Sequence, residues 1–95
     1  MIDKNELSQK VIKHFGIEHQ LKKVVEECSE LISVIMHYDD DRATLFEVAG
    51  EAADVENVVN HLRLIIKKLT NGKDLVSVRK KQKLKRLKRI LKDEK

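Results

Sequence analysis

The stretch 18–38, EHQLKKVVEECSELISVIMHY, decides the fold. Leu21, Val24, Val25, Cys28, Leu31, Ile32, Ile35 and Met36 recur at i, i+3, i+4 and i+7, the period of an α-helix. At about 100° per residue, measured from Glu27, they fill an arc from roughly 40° to 180°. Beside the arc runs a second stripe of Gln20, Lys23, Glu27 and Glu30, with Val34 among them. The pattern predicts one amphipathic helix whose apolar arc faces a core and whose acids border it.

Upstream, Leu7, Val11 and Phe15 predict a first helix over 3–15, with Asp3 as N-cap and Gly16 as its stop. Downstream, Asp39-Asp40-Asp41 breaks the period as a short acidic loop. A second long helix is expected over 42–69, where apolar residues from Leu45 to Leu69 cover more than half the circumference. Thr70-Asn71-Gly72 ends it. Asp74 caps a fourth helix over 75–92, whose thin apolar stripe is Leu84, Leu87 and Leu91. The expected fold is a single all-α domain over 1–95, an antiparallel hairpin of the two long helices flanked by the first and last. A chain this short cannot cover the wide arc of its second long helix alone. A homodimer or homotetramer that completes four-helix-bundle cores is therefore expected.

Composition narrows the class. The chain has no Pro and three Gly, against the frequent turns of a sandwich or barrel. No apolar run approaches the ~18 residues of a membrane span, and the first residues carry no signal-peptide core, so no membrane partner is expected. The one cysteine, Cys28, excludes an intrachain disulfide and fits the reducing cytoplasm. Its place in the middle of the arc predicts a buried, inert thiol. Phe15 and Tyr38 read as core or loop anchors. Charge is divided: residues 1–62 hold six basic and thirteen acidic groups, and residues 63–95 hold fourteen basic and three acidic. The acidic part suits a cation and the basic part a polyanion.

The acids are patterned. Glu27 and Glu30 are three residues apart, as are Glu51 and Asp54. Glu47, Glu51, Asp54, Val58 and His61 share one face of the second long helix. In an antiparallel hairpin the two pairs converge, and four converging carboxylates repel without a counter-ion. Hard oxygen donors select Mg²⁺, with Mn²⁺ as its substitute. Ser29, Ala49, Ala52 and Ala53 leave room for a ligand beside them. His14, His19, His37 and His61 form no zinc spacing with Cys28, and no Gly-rich phosphate loop is present.

Glu26-Glu27-Cys28-Ser29-Glu30, twenty residues, then Glu51-Ala52-Ala53-Asp54 resembles the EExxE…ExxD signature of the MazG-like superfamily. These are all-α nucleoside triphosphate pyrophosphohydrolases, and the likeness is closest to the small single-domain bacterial and phage members. His19-Gln20-Leu21-Lys22-Lys23 and Lys83-Leu84-Lys85-Arg86-Leu87-Lys88-Arg89 look like that group too, so the likeness runs from about 15 to 91. The resemblance implies Mg²⁺-dependent hydrolysis of a nucleoside triphosphate, a deoxynucleotide first, at the α–β bond to monophosphate and pyrophosphate. Glu27, Glu30, Glu51 and Asp54 match the family's metal ligands. Glu26 or Glu27 would take the proton of the attacking water. Gln20, Lys23 and His61 would line the substrate, and Lys83 and Arg86 would hold the leaving diphosphate.

His61 stands where larger members tend to carry Asn, with Asn60 beside it. Asp54-Val55-Glu56-Asn57 departs from the phosphoribosyl-ATP pyrophosphatases of the same superfamily, which, like its dimeric dUTPases, give a second choice of activity. Lys23, one turn before Glu27, is placed to pair with it or to reach a phosphate. The other class of function is a non-catalytic helical module that binds nucleic acid through 75–92. Nine of the fourteen residues over 79–92 are Lys or Arg, but no aromatic follows Phe46 to stack on single-stranded bases. Nucleic acid is accordingly the less expected partner.

Overall fold

The computed structural model describes residues 2–93, which form four α-helices and no strand. Helix α1 (Lys4–Phe15) begins where the Asp3 carboxylate accepts the Asn5 and Glu6 N–H groups, each at 3.0 Å. These are two of the donors that a helix start leaves without intrahelical partners. It ends at Gly16, whose φ of 89° suits a residue without a side chain. Helix α2 (Ile17–Asp39) starts at the next residue. It stops at the acidic loop, where Asp41 has φ 60° and the Arg42 N–H donates to the His37 carbonyl at 2.7 Å.

Helix α3 (Leu45–Leu69) starts three residues later than the spacing suggested. Thr44 and Glu47 close a capping box: the Glu47 N–H donates to Thr44 Oγ1 at 3.2 Å, and the Thr44 N–H donates to Glu47 Oε1 at 3.1 Å. The box fixes Thr44 outside the helix and leaves Arg42 and Ala43 in the loop. Thr44→Ala is expected to cost about 1 kcal/mol, read as a lower urea midpoint with an unchanged slope. At the other end the Gly72 N–H reaches back to the Lys67 carbonyl at 2.7 Å, with Gly72 at φ 93°. Helix α4 (Leu75–Asp93) is capped as expected, with Asp74 accepting the Ser77 N–H at 3.3 Å. None of the described helices is long and apolar enough to cross a membrane.

The chain divides into two compact units, Met1–Ile65 and Ile66–Lys95. In the first, Ile12, Val58 and Ile65 form the buried apolar core. Ser8, Gln20 and Glu27 are buried with them. The Asn60 amide donates to Ser8 Oγ at 2.9 Å and to Asn5 Oδ1 at 3.3 Å, tying α3 to α1.

The rotation of α2 corrects the expectation drawn from its arc. Its most buried residues are Gln20 and Glu27 of the polar stripe, with Lys23, Val24, Leu31 and Val34 half-buried around them. Leu21, Val25, Ile32, Ile35 and Met36 of the arc are 41–67% exposed. A buried polar side chain is tolerated where it finds a partner, and Gln20 finds one on α3. Cys28 is half-buried, not fully enclosed. Phe15 and Tyr38 are not core residues; both are exposed, and the Phe15 ring stacks on His19 at 5.1 Å.

In the second unit no residue of α4 is buried. Ile66, Leu75, Val76, Leu84 and Leu87 line an open apolar groove. The aliphatic stems of Arg79, Lys80 and Lys83 complete its walls.

Candidate metal centre

Helix α2 presents Glu26, Glu27 and Glu30, and α3 presents Glu51 and Asp54. One carboxylate oxygen from each of Glu26, Glu27 and Glu30 lies within 4.8 Å of the other two. Glu27, Glu51 and Asp54 meet the same limit. Glu27 belongs to both groups and is the most enclosed of the five, 7% exposed. Its Oε1 pairs with Lys23 Nζ at 3.3 Å, and the same ammonium reaches Glu26 Oε1 at 3.6 Å. Glu27 Oε2 and Glu51 Oε2 are buried and have no hydrogen-bond partner among the described residues. A buried acceptor without a partner costs roughly 1–3 kcal/mol, and more when it is charged.

The electrostatics of the site reflect the same crowding. The Glu27 charge, then partial desolvation, then the Glu51 charge hold the Glu30 carboxyl above its ordinary pKa. Lys23 is raised, first by its hydrogen bond to Glu27 and then by the charge of Glu26. Lys23 pairs with two of the five carboxylates. The donor set consists of hard oxygens, with two orphaned and buried, and it fits a hard divalent cation.

Further along the stripe, His61 Nδ1 and Gln20 Oε1 are 3.0 Å apart. An amide oxygen only accepts, so His61 carries its proton on Nδ1 and leaves Nε2 as an acceptor. Burial lowers the His61 pKa, which favours the neutral ring. The Gln20 Nε2 amide donates in turn to His19 Nδ1 at 3.2 Å. Gln20 precedes Glu27 by two turns, about 10 Å along the axis.

Of the residues singled out in the sequence, Glu26, Glu27, Glu30, Glu51, Asp54 and Lys23 come together, and Gln20 meets His61. Asn60, beside His61, turns to α1 instead. Glu47 is spent on the α3 cap. Lys83 and Arg86 belong to the second unit, Lys83 on the groove wall and Arg86 exposed on α4. His19 was not expected to take part; its one legible signal was its place next to Gln20. The ion pair from Lys23 to Glu27 follows the i,i+4 spacing. No protein-family model, curated protein or solved structure matches the chain.

Proposed function

We propose that the protein hydrolyses nucleoside triphosphates, deoxynucleotides first, to monophosphate and pyrophosphate with Mg²⁺ or Mn²⁺, as a MazG-like pyrophosphohydrolase. The observation that carries this reading is the pair of buried carboxylate oxygens, Glu27 Oε2 and Glu51 Oε2, that have no partner within an acidic cluster. An exclusively structural cluster would satisfy them with ammonium or amide donors.

The order of contacts supports the hairpin. Gln20 meets His61, while Glu27, later on α2, meets Asp54 and Glu51, earlier on α3. Contacts that run in opposite orders belong to antiparallel helices. Glu27, Glu30, Glu51 and Asp54 would hold the cation. When bound, it supplies positive charge for phosphate oxygens and acidifies a water.

The remaining chemistry falls to the chain. Glu26, whose side chain is 58% exposed, faces solvent and accepts the proton of the attacking water. The water oxygen bonds to the α-phosphorus, the bond to the α–β bridging oxygen breaks, and pyrophosphate leaves with the electron pair. Lys23 pairs with both Glu26 and Glu27. His61, held by Gln20, offers an imidazole edge to the nucleoside. The exposed arc of α2 packs on a second copy of the chain.

The test is incubation with each dNTP and Mg²⁺ in ¹⁸O-labelled water, with products separated by ion exchange. The expected products are equimolar monophosphate and pyrophosphate, with the label in the monophosphate. Release of orthophosphate alone, or full turnover in excess chelator, overturns the reading.

A further inference from the structure

We propose that the basic face of α4 docks on the phosphate backbone of a nucleic-acid duplex. The helix carries two separate surfaces. Leu84 and Leu87 belong to the apolar groove. Lys85, Lys88, Arg89 and Lys92, with Gln82, line a shallow cleft elsewhere on the same helix. At about 100° per residue those four cations lie 40–140° from Leu84, and Leu87, Ile90 and Leu91 lie on its other side. All four are exposed, and none is in an ion pair among the described residues. The only acid within α4 is Asp93 at its last position.

The geometry selects the partner. Residues 85–92 span about 10 Å of helix axis at 1.5 Å per residue. That is longer than one phosphate needs, and it suits a continuous line of charge such as a duplex, with one charge per ~1.7 Å. No aromatic residue follows Phe46, so stacking on unpaired bases has no platform here. An anionic bilayer would take up Leu84 and Leu87, whereas here they line the groove with Ile66, Leu75 and Val76, and the four cations face away from that groove. The absence of aromatics counted against single strands; it does not bear on contacts to duplex phosphates.

The experiment is fluorescence anisotropy of a labelled random-sequence 20-base-pair duplex titrated with the full chain between 50 and 200 mM NaCl. Four phosphate contacts give a slope of log affinity against log salt of about −3.6, hence a loss of roughly 100-fold across that range. The variant K85Q/K88Q/R89Q/K92Q is expected to flatten the slope by about 3.6 units and to bind at least tenfold more weakly at 100 mM salt. Gln keeps nearly the same helix propensity, and circular dichroism checks that α4 survives. The control K4Q/K10Q/K13Q/K22Q removes the same charge from the first unit and is expected to bind like the wild type. Glu27→Gln is also expected to bind like the wild type, which separates this surface from the metal centre. Equal losses in the two quadruple variants, a slope near zero, or tighter binding to the single strand overturns the proposal. So does sedimentation with phosphatidylserine vesicles in the absence of duplex binding.

Discussion

Glu51→Gln and Glu30→Gln are each expected to lower turnover of a deoxynucleoside triphosphate at least 100-fold while the chain stays folded. Each change removes an oxygen ligand and keeps size and helix propensity nearly constant. The Mg²⁺-dependent rise in melting temperature should shrink with it, because a ligand stabilises only the state that binds it. Without cation the order reverses. The Glu27 and Glu51 charges and partial desolvation raise the Glu30 pKa above its ordinary 4.5, so the folded chain binds that proton more tightly than the unfolded chain. The associated stability is fully present below about pH 4.5 and is lost as pH rises through the folded value. Metal-free Glu30→Gln should therefore melt above wild type at pH 7.5 and alongside it near pH 4. Thermal melts at the two pH values, with and without Mg²⁺, read all four cases. Wild-type turnover in either variant removes these acids from the site. Unfolding of the metal-free variants would assign the acids a purely structural ion pair with Lys23.

Ile32→Glu is expected to turn an assembly of chains into a monomer. Leu21, Val25, Ile32, Ile35 and Met36 form one exposed apolar face on α2, far more than scattered surface residues. Ile32 lies inside that face. Burying one such side chain is worth about 1.5–3 kcal/mol, and a carboxylate in its place must also be desolvated. The dissociation constant should rise by roughly 100-fold or more, since each 1.4 kcal/mol is a factor of ten. Light scattering at micromolar concentration should fall to the 11.0 kDa of one chain. Glu18→Gln, exposed near the start of α2, is expected to leave the mass unchanged. A wild-type mass of 11.0 kDa at that concentration would refute the reading.

Much of this was legible from spacing. The 3.6-residue period gave four helices, because burying one face of a helix requires that repeat. Asp3, Gly16 and Asp74 marked ends because a short acceptor or a missing Cβ meets a need of the backbone at those places. The start of α3 was misplaced although Thr44-Leu45-Phe46-Glu47 carries a capping box; hydrophobic period alone does not locate a cap. The i,i+3 acids and the i,i+4 pair of Lys23 with Glu27 followed from helical geometry.

Periodicity assigns residues to faces of a helix, but it does not say which face turns inward within one chain. On α2 two adjacent faces competed: a wide apolar arc and the stripe of Gln20, Lys23, Glu27 and Glu30. Hydrophobicity alone favours the arc. The tertiary structure turns Gln20 and Glu27 of the stripe inward and leaves Glu30 exposed; Gln20 bonds His61, and Glu27 joins Glu51 and Asp54. Those partners lie 24 or more positions away in the chain and on another helix. Local sequence determined the helices and the acids each one carries; only packing between helices decided which carboxylate oxygens were left buried without a partner.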